Sequence, residues 1–269
     1  MNISFIIPAY NCANTIAETV ESIFAGNFGE GDEVVIVNDG STDQTEQVLH
    51  GLQESRPSNI RIVKHERNKG GGAARNTAVR HAKHPLLFCL DADNCLAPGS
   101  VPRLKKFLLE TQTDVAAFQE LHYFSGNTQN VLFKWTFDAG TVSLQDHFTK
   151  YHIPSSSGNY LFTRESWERA GGYPERVRTL DTWGFGFYQV ASGCKMTVMP
   201  DSFYYHRFGH ESNWVREQRK GKTSLTALSI IIPYLDLIVE EDVDYIFSRE
   251  GRNHWFSNLI ARPIRLKHP

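Results

Sequence analysis

The chain has 269 residues, 41% of them hydrophobic, and a formal net charge of −2 at pH 7. This length supplies a sizeable core for one domain, with room for a smaller appendage. Because the charge is near neutral, there is no overall basic surface, and we expect no nucleic-acid partner. The four cysteines form no C-x-x-C pair, which argues against a thiolate zinc site and fits a reducing compartment.

The ends of the sequence predict a soluble, cytoplasmic protein. The first residues, "MNISFIIPAYN", lack the basic segment of a signal peptide. The most apolar later stretch, "LSIIIPYLDLIV", is interrupted by Pro233 and Asp236. It is therefore shorter than the roughly 18 apolar residues that a membrane span requires.

Short apolar runs alternate with amphipathic stretches through the first 118 residues. Strands are predicted over 3–7, 33–37, 60–63, 86–90 and 114–118. Helical spacing follows each of the first four, and Thr15 and Glu18 have the spacing of a capping box at the first helix. This alternation predicts an α/β fold with a mostly parallel central sheet flanked by helices.

The pattern weakens after residue 119. Residues 119–157 are aromatic and polar without clear periodicity, and a strand and a short helix are predicted at 158–172. A helix following Asp181 and a strand at 195–200 come next, and residues from about 211 onward are expected to be helical. We find no internal repeat and no low-complexity segment.

Four polar loops follow the first four predicted strands. They read "PAYN", "NDGSTD", "NKGGGAARN" and "DADN". In parallel sheets, ligands bind beyond the carboxyl ends of the strands. The convergence of four such loops on one edge indicates a binding site more strongly than any single loop does.

Asp91 and Asp93 are candidate ligands for a divalent metal. Because they are two residues apart, both point to one side if the strand continues, and carboxylates suit Mg²⁺ or Mn²⁺. The alternative is a solvated turn. Asp39 has the same two interpretations, as a turn residue or as a hydrogen-bond acceptor for a base or ribose.

The glycine-rich loop suits an anion near a helix N-terminus, and Arg75 is a candidate phosphate or base ligand. The loop has neither the nucleoside-triphosphatase nor the nicotinamide fingerprint. Asp181 is either a helix cap or a functional acid. His206 and His210 fit isolated histidines at a strand end, since Trp214 breaks the metalloprotease pattern.

The segments together resemble the family 2 glycosyltransferases of the GT-A fold. The matching stretches run in family order over residues 3–212: "SFIIPAYNCANTIAETVESI", "VVIVNDGSTDQT", "NKGGGAARN", "LDADN", "GNYLFTRESWERAGGYPE" and "LDTWGFGFYQVASG". The first four jointly are quite specific. The resemblance implies transfer of a sugar from a nucleotide-diphosphate donor, with UDP favoured, to a nucleophilic acceptor with inversion.

The resemblance also implies roles for individual residues. A nucleoside pocket is lined by Pro8, Ala9 and Tyr10, with Asp39 on the base and Arg75 near the nucleotide. Asp91 approaches the ribose or metal, and Asp93 is the principal ligand of Mn²⁺ or Mg²⁺. Asp181 is implied as the general base, and His210 completes the metal site.

Two positions depart from the family pattern. Leu180 stands where the family has the first acid of an E-D pair, which leaves Asp181 as the sole acid there. Thr77 replaces the glycine that commonly follows R-N.

The implied domain spans 1–212, with a nucleotide-binding half at 1–118, an acceptor half at 119–212, and a helical C-terminal extension at 213–269.

Two other functions stay open. Leu180 is compatible with a non-catalytic nucleotide-sugar-binding module. A nucleotidyltransferase would require a glycine-rich, basic loop after the first strand, which "PAYNCANT" lacks.

The acceptor and the C-terminus are less determined. A glycan, a lipid-linked sugar and a small molecule are all compatible acceptors, and the resemblance suggests cell-surface polysaccharide biosynthesis. Residues 253–269 mix aromatic and basic side chains. They predict either a peripheral contact with the inner face of the membrane or, alternatively, packing on the core or a homodimer contact.

Overall fold

A computed structural model describes residues 1–150, 153–209, 223–250 and 264–267. Within these ranges nine strands form one sheet. The strands are β1 (Ile3–Ala9), β2 (Glu33–Asn38), β3 (Ile60–Lys64), β4 (Leu86–Cys89), β5 (Val115–Phe124), β6 (Val131–Thr136), β7 (Gly140–Val142), β8 (Tyr160–Thr163) and β9 (Met196–Arg207).

Helices cover the sheet. They are α1 (Ile16–Phe24), α2 (Thr45–Ser55), α3 (Gly71–His81), α4 (Ser100–Thr111), α5 (Asp146–Thr149), α6 (Pro154–Ser157), α7 (Arg164–Ala170), α8 (Asp181–Ala191), α9 (Thr223–Ile231) and α10 (Glu240–Phe247), with a 3₁₀ helix at Ile232–Leu237. The five strands predicted in the first half are all present. The predicted α/β class with a central sheet is confirmed.

The strand order is β3-β2-β1-β4-β8-β5-β9-β7, with β6 on the edge of β5. Strands β1 to β4 are parallel, as the alternation of strands and helices predicts. Strand β8 then inserts between β4 and β5, antiparallel to both. Residues far apart in the chain are thereby brought to the end of β4, where the candidate site lies.

Aromatic side chains from β1, β4, β5 and β9 form a row through the main core. The ring centroids of Phe5 and Phe88 are 5.8 Å apart, and those of Phe88 and Phe118 are 6.1 Å apart. Tyr204 continues the row at 5.8 Å from Phe118. Each pair lies within the 4.5–7 Å range of favourable aromatic contacts, so the sheet that supports the loops is firmly packed.

The predicted capping box at the start of α1 is wrong. Thr15 is the N-cap residue, but its side chain makes no cap hydrogen bond. Its hydroxyl instead donates to the carbonyl of Ala92 at 2.9 Å, and Glu18 accepts from Arg207. Both side chains therefore hold the loop after β4, a use that local sequence spacing does not reveal.

The stretch without clear periodicity, 119–157, contains the end of β5, then β6, β7 and two short helices. Strand β6 is mostly exposed on both faces. It therefore lacks the alternation of apolar and polar residues that would have identified it.

The described part of the C-terminal extension is helical over most of 223–250, as predicted, but not at 264–267. It forms a second core against α8 and its neighbours, whose buried members include Phe148, Ile153, Trp183, Phe187, Ile230, Ile231, Ile246 and Ile264. The predicted domain boundary at 212 and most of the predicted membrane-contact segment lie outside the described residues. Among the residues that are described, no helix combines the length and apolar character needed to cross a bilayer.

Candidate functional site

The first four strands end side by side. Ala9 pairs with Asn38, and Asn38 pairs with Lys64. Strand β4 runs parallel to β1 on its other side. The four polar loops therefore leave one edge of the sheet together, as the sequence predicts.

Arg75 connects two of the predicted site acids. Its Nη2 donates to Asp91 Oδ1 at 2.6 Å, and its Nη1 donates to Asp181 Oδ2. The residue is 7% exposed. Burial lowers the pKa of Arg75, but the charges of Asp181 and Asp91 outweigh it and raise that pKa well above its ordinary value.

The glycine-rich loop makes this arrangement possible. A Cβ on Gly71 would lie 2.7 Å from Arg75 Nη1 and 3.0 Å from Asp181 Oδ2. A Cβ on Gly72 would lie 2.3 Å from the carbonyl oxygen of Pro174. Both glycines are therefore required for the close approach of α3 to the start of α8.

Asp181 is the first residue of α8, and Leu180 before it has φ 64°. A left-handed backbone is unusual for a leucine and costs free energy. The Asp181 side chain pairs with Arg75 and makes no cap bond within the helix, because the N-cap residue is Leu180. Its interpretation as a helix cap is therefore wrong.

Asn159 is a site residue that we did not predict. Its Nδ2 donates to Asp91 Oδ2 at 3.0 Å, and its Oδ1 accepts from the Asp91 backbone N–H at 2.7 Å. The residue precedes β8, so the insertion of that strand beside β4 places it there. Asp91 therefore has one oxygen on Arg75 and the other on Asn159.

Asp93 has a different environment. Burial raises the pKa of Asp93 to about 6, and the charge of Asp91 adds to the rise. Arg207 donates to the Asp93 backbone carbonyl at 3.0 Å, but no cation of the described residues pairs with the Asp93 carboxylate. A half-buried carboxylate beside a second carboxylate, with no cation partner among the described residues, suits a divalent cation with oxygen ligands.

The remaining ligands of such a cation are not evident in the described ranges. There, no group of three or more histidine, cysteine, aspartate or glutamate side chains could hold a metal. His210, the predicted third ligand, lies outside the described residues. His206, near the end of β9, is half-buried, and the loss of hydration lowers its pKa to about 4. It is therefore neutral at pH 7.

Asp39 is 2% exposed and accepts three hydrogen bonds. The backbone N–H groups of Lys69 and Gly70 each donate at 2.9 Å, and His65 Nδ1 lies 2.6 Å from Oδ1. A Cβ on Gly40 would lie 2.5 Å from the backbone of Arg67. The loops after β2 and β3 are thus packed directly on each other.

The predicted nucleoside-lining residues occupy three different environments. Ala9 is buried and its carbonyl accepts from the Asp39 backbone N–H at 2.8 Å. Pro8 is half-buried, and Tyr10 is 47% exposed. A groove of about 560 Å³ lies along the neighbouring loop, lined by Lys64, His65, Glu66, Arg67 and Lys69.

Asn76 is a second residue whose role we did not predict. Its Oδ1 accepts from the Trp167 indole at 3.0 Å and from the Tyr173 N–H at 2.9 Å. Its Nδ2 donates to the Tyr173 carbonyl and to Glu175. It therefore fastens α3 to the segment that leads into α8.

Comparison with known proteins finds relatives that are named as glycosyltransferases. An uncharacterized glycosyltransferase of Nostoc sp. is 32% identical over 221 residues, which is 79% of this chain and 66% of the relative. The E. coli glucosyltransferase WfaP, named for transfer from UDP-Glc to GlcNAc-diphosphoundecaprenol, is 32% identical over 45% of this chain. The match covers 46% of WfaP, so the chain spans less than two thirds of the curated relatives it matches.

Solved structures share the fold. S. aureus TarS (residues 1–349), in complex with UDP, has a TM-score of 0.69 and 22% identity, covering 96% of this chain and 72% of that one. A mannosyltransferase of Pyrobaculum calidifontis, in complex with GDP-Man and Mn²⁺, has a TM-score of 0.63 and 21% identity, covering 86% and 64%. The family model for glycosyl transferase family 2 matches residues 4–172. This chain therefore belongs to glycosyl transferase family 2.

Proposed function

We propose that this protein transfers a sugar from a nucleoside-diphosphate donor, with UDP as the nucleotide, to a hydroxyl group of an acceptor, with inversion. The observation that carries the proposal is the network of Asp91, Arg75 and Asp181, which come from three separate motifs. Beside it lies the Asp93 carboxylate, for which the described residues supply no cation partner. Family membership supports the reaction class.

Asp181 is the proposed general base. One of its oxygens is held by Arg75, and Oδ1 accepts no hydrogen bond from any described residue. That oxygen is available to take the proton of an acceptor hydroxyl as it attacks, a role worth about 10²–10⁴-fold in rate. A single base opposite the leaving group suffices for one displacement with inversion.

Donor binding is assigned to the other loops. Asp39 would accept a hydrogen bond from the base, and Pro8, Ala9 and Tyr10 would lie along the nucleoside. The guanidinium of Arg75 would lie near the diphosphate. A divalent cation, Mn²⁺ or Mg²⁺, held by Asp93 with Asp91, would neutralise the charge that develops on the leaving diphosphate.

The names of the relatives bear on the donor and acceptor. WfaP is named for a UDP-sugar and a lipid-linked sugar, and TarS structures contain UDP and UDP-GlcNAc. The mannosyltransferase structure contains Mn²⁺ but a guanosine nucleotide. These names favour a UDP-sugar and a glycan or lipid-linked acceptor for this chain. Because of the guanosine nucleotide, GDP is the alternative with which UDP should be compared.

The experiment is a thermal-shift screen of UDP, GDP and CDP with and without Mn²⁺, followed by a transfer or donor-hydrolysis assay with the matching nucleotide sugars. We expect a Mn²⁺-dependent rise in Tm with UDP, because ligand binding to the folded state stabilises it. Asp93→Asn should abolish the Mn²⁺ effect, whereas Asp138→Asn, at a side chain that is 78% exposed, should not.

Two outcomes would contradict the proposal. No response to any nucleoside diphosphate would exclude a donor site. A response to UDP without turnover of any donor would instead favour the non-catalytic binding module, for which Leu180 in place of an acid is the supporting feature.

A further inference from the structure

Asp39 begins a series of hydrogen-bonded side chains that reaches α3. His65 Nδ1 lies 2.6 Å from Asp39 Oδ1, and His65 Nε2 lies 3.0 Å from Thr77 Oγ1. The imidazole is 5% exposed. Asp39, His65 and the half-buried Thr77 therefore form one series that runs from the loop after β2, through the loop after β3, to the second turn of α3.

The chemistry of the groups determines which one is the donor in the hydrogen bond between His65 and Asp39. Carboxylate oxygens only accept hydrogen bonds, so His65 Nδ1 carries a hydrogen and donates it to Asp39. Thr77 occupies His65 Nε2, and its hydroxyl can serve as donor or acceptor there. The ring is thus held at both nitrogens and cannot turn without breaking one of these bonds.

The acceptor capacity of Asp39 is nearly used up. An ionised carboxylate offers about four acceptor positions. Three are filled: His65 and the Lys69 N–H bind Oδ1, and the Gly70 N–H binds Oδ2. One acceptor position is left on Oδ2, and His65, which bonds Oδ1, is one of the residues that line the groove at this loop.

We propose that His65 and Thr77 are specificity-determining residues that restrict Asp39 to one acceptor position and thereby select a base that presents one N–H donor between two carbonyl acceptors. This inference rests on the proposed function, because it assumes that the base binds at Asp39. Uracil presents one donor, N3–H. Cytosine has no hydrogen at N3, and guanine presents two adjacent donors, N1–H and N2–H, which require both carboxylate oxygens.

The chain differs from its family at one member of this series. Thr77 stands where the resemblance led us to expect glycine, and no contact was expected for it. Glycine has no hydroxyl for His65 Nε2, so the anchoring of the imidazole is a feature of this chain's own residues. The position of Thr77 on a rigid helix makes the anchor well defined.

The test is calorimetric titration of UDP and GDP, each with Mn²⁺, into the full-length protein and its variants. The measured quantity is the ratio of the Kd for GDP to the Kd for UDP. His65→Leu frees the second acceptor position on Oδ1, so we expect the ratio to fall by at least tenfold. His65→Asn keeps an N–H donor near the place of Nδ1 and should largely retain the ratio.

Thr77 is tested by a matched pair. Thr77→Ala removes the anchor of the imidazole and should weaken UDP binding by about 2- to 10-fold, the effect of one lost hydrogen bond. Thr77→Ser restores the hydroxyl and should restore the affinity. His50→Asn, on the exposed side of α2, is the control for histidine replacement elsewhere.

The outcomes separate this inference from the proposed function. If the wild type binds no nucleoside diphosphate, both fail. If it binds UDP, but His65→Leu leaves the ratio unchanged and Thr77→Ala leaves the Kd for UDP unchanged, this inference alone fails. A wild type that binds GDP as tightly as UDP also overturns it. If His65→Leu does not fold, the Thr77 pair still decides.

Discussion

Arg75 and Asp181 form an ion pair between residues 106 positions apart in the chain. The same guanidinium reaches Asp91, so one buried cation joins the acid proposed as general base to an acid beside the proposed metal ligand. Arg75 is therefore a positioning residue for both. Its two-pronged geometry suits two carboxylates at once, which a lysine ammonium cannot match.

Replacement of Arg75 by lysine should lower transfer activity strongly. One ammonium cannot hold both acids in the observed geometry, and misplacement of a catalytic group costs about 10²-fold in rate. We expect a decrease of that size in kcat, measured by donor turnover at saturating acceptor. Arg80→Lys, at an exposed arginine of the same helix that pairs with Glu175, should leave kcat within about twofold. A smaller effect of Arg75→Lys than of Arg80→Lys would contradict the positioning role.

The glycine-rich loop allows a more local perturbation. In Gly71→Ala the new Cβ would meet two side-chain ends, Arg75 Nη1 and Asp181 Oδ2. These can shift, so the protein should fold with a displaced ion pair and reduced turnover. In Gly72→Ala the new Cβ meets the backbone carbonyl of Pro174 at 2.3 Å. That variant should lose stability as well, by on the order of 1–3 kcal/mol.

Gly51 provides the control for both loop variants. It lies within α2, and a Cβ there would meet no atom within 4 Å. Because glycine is a poor helix former, Gly51→Ala should raise the free energy of unfolding by about 0.5–1 kcal/mol. Urea denaturation monitored by circular dichroism measures all three. A stabilising Gly72→Ala would show that the described contact between α3 and Pro174 is wrong.

Replacement of Asp93 by asparagine should stabilise the metal-free protein but weaken metal binding. The folded pKa of Asp93 is raised from 3.8 to about 6. A carboxyl with a raised pKa destabilises the folded state above that pH, because ionisation is easier in the unfolded chain. In the metal-free protein at pH 7.5, Asp93→Asn should therefore raise the free energy of unfolding by about 1–2 kcal/mol.

With Mn²⁺ and UDP present, Asp93→Asn should be less stable than the wild type, because it lacks the carboxylate that is proposed to bind the cation. Differential scanning calorimetry with EDTA and then with Mn²⁺ and UDP makes the comparison. If Asp93→Asn is destabilised in EDTA, the carboxylate has a partner that this account omits.

The buried side chain of His147 should make the free energy of unfolding depend on pH. It is 1% exposed, with Nε2 2.9 Å from Ser155 Oγ and Nδ1 3.3 Å from the Ser143 carbonyl. Burial lowers its pKa from 6.5 to about 4. The folded state therefore favours the neutral ring, and stability falls as pH decreases from 6.5 towards 4, where the unfolded chain takes up a proton first.

This histidine should remove about 2.5 kcal/mol of unfolding free energy between pH 7 and pH 4.5. His147→Gln should flatten that slope, although it lowers stability at pH 7 by disturbing the packing. His50→Gln, at an exposed side chain, should leave the slope unchanged. Urea titrations at three pH values measure the slopes, and equal slopes in the wild type and His147→Gln would disprove the assignment.

The sequence predicted the parts of this molecule that depend on local pattern. The strands of the first half, the four loops at one edge and the α/β class follow from alternation and from residue type. The acids Asp91 and Asp181 were candidates from their residue type and position, and the resemblance implied their roles. That Arg75 joins them was not predictable, because the contact depends on how α8 is placed relative to α3.

The residues that were missed have long-range partners. Asn159 reaches Asp91 only because β8 inserts between β4 and β5. Thr15 has the spacing of a helix cap but bonds Ala92, 77 positions away. Thr77, in α3, meets His65 at the other end of the loop that joins β3 to α3. In each case a local interpretation of a polar side chain competes with a tertiary contact, and sequence spacing does not decide between them.

The central claim is that Asp181 acts as the base while the nucleotide binds elsewhere in the site. The most direct measurement compares wild type and Asp181→Asn for Mn²⁺-dependent turnover of UDP-sugars and, on the same samples, for the Kd of UDP. The account predicts that the variant loses at least about 10²-fold in turnover while the Kd of UDP changes by less than about threefold. Full turnover in Asp181→Asn, or loss of UDP binding together with turnover, would contradict it.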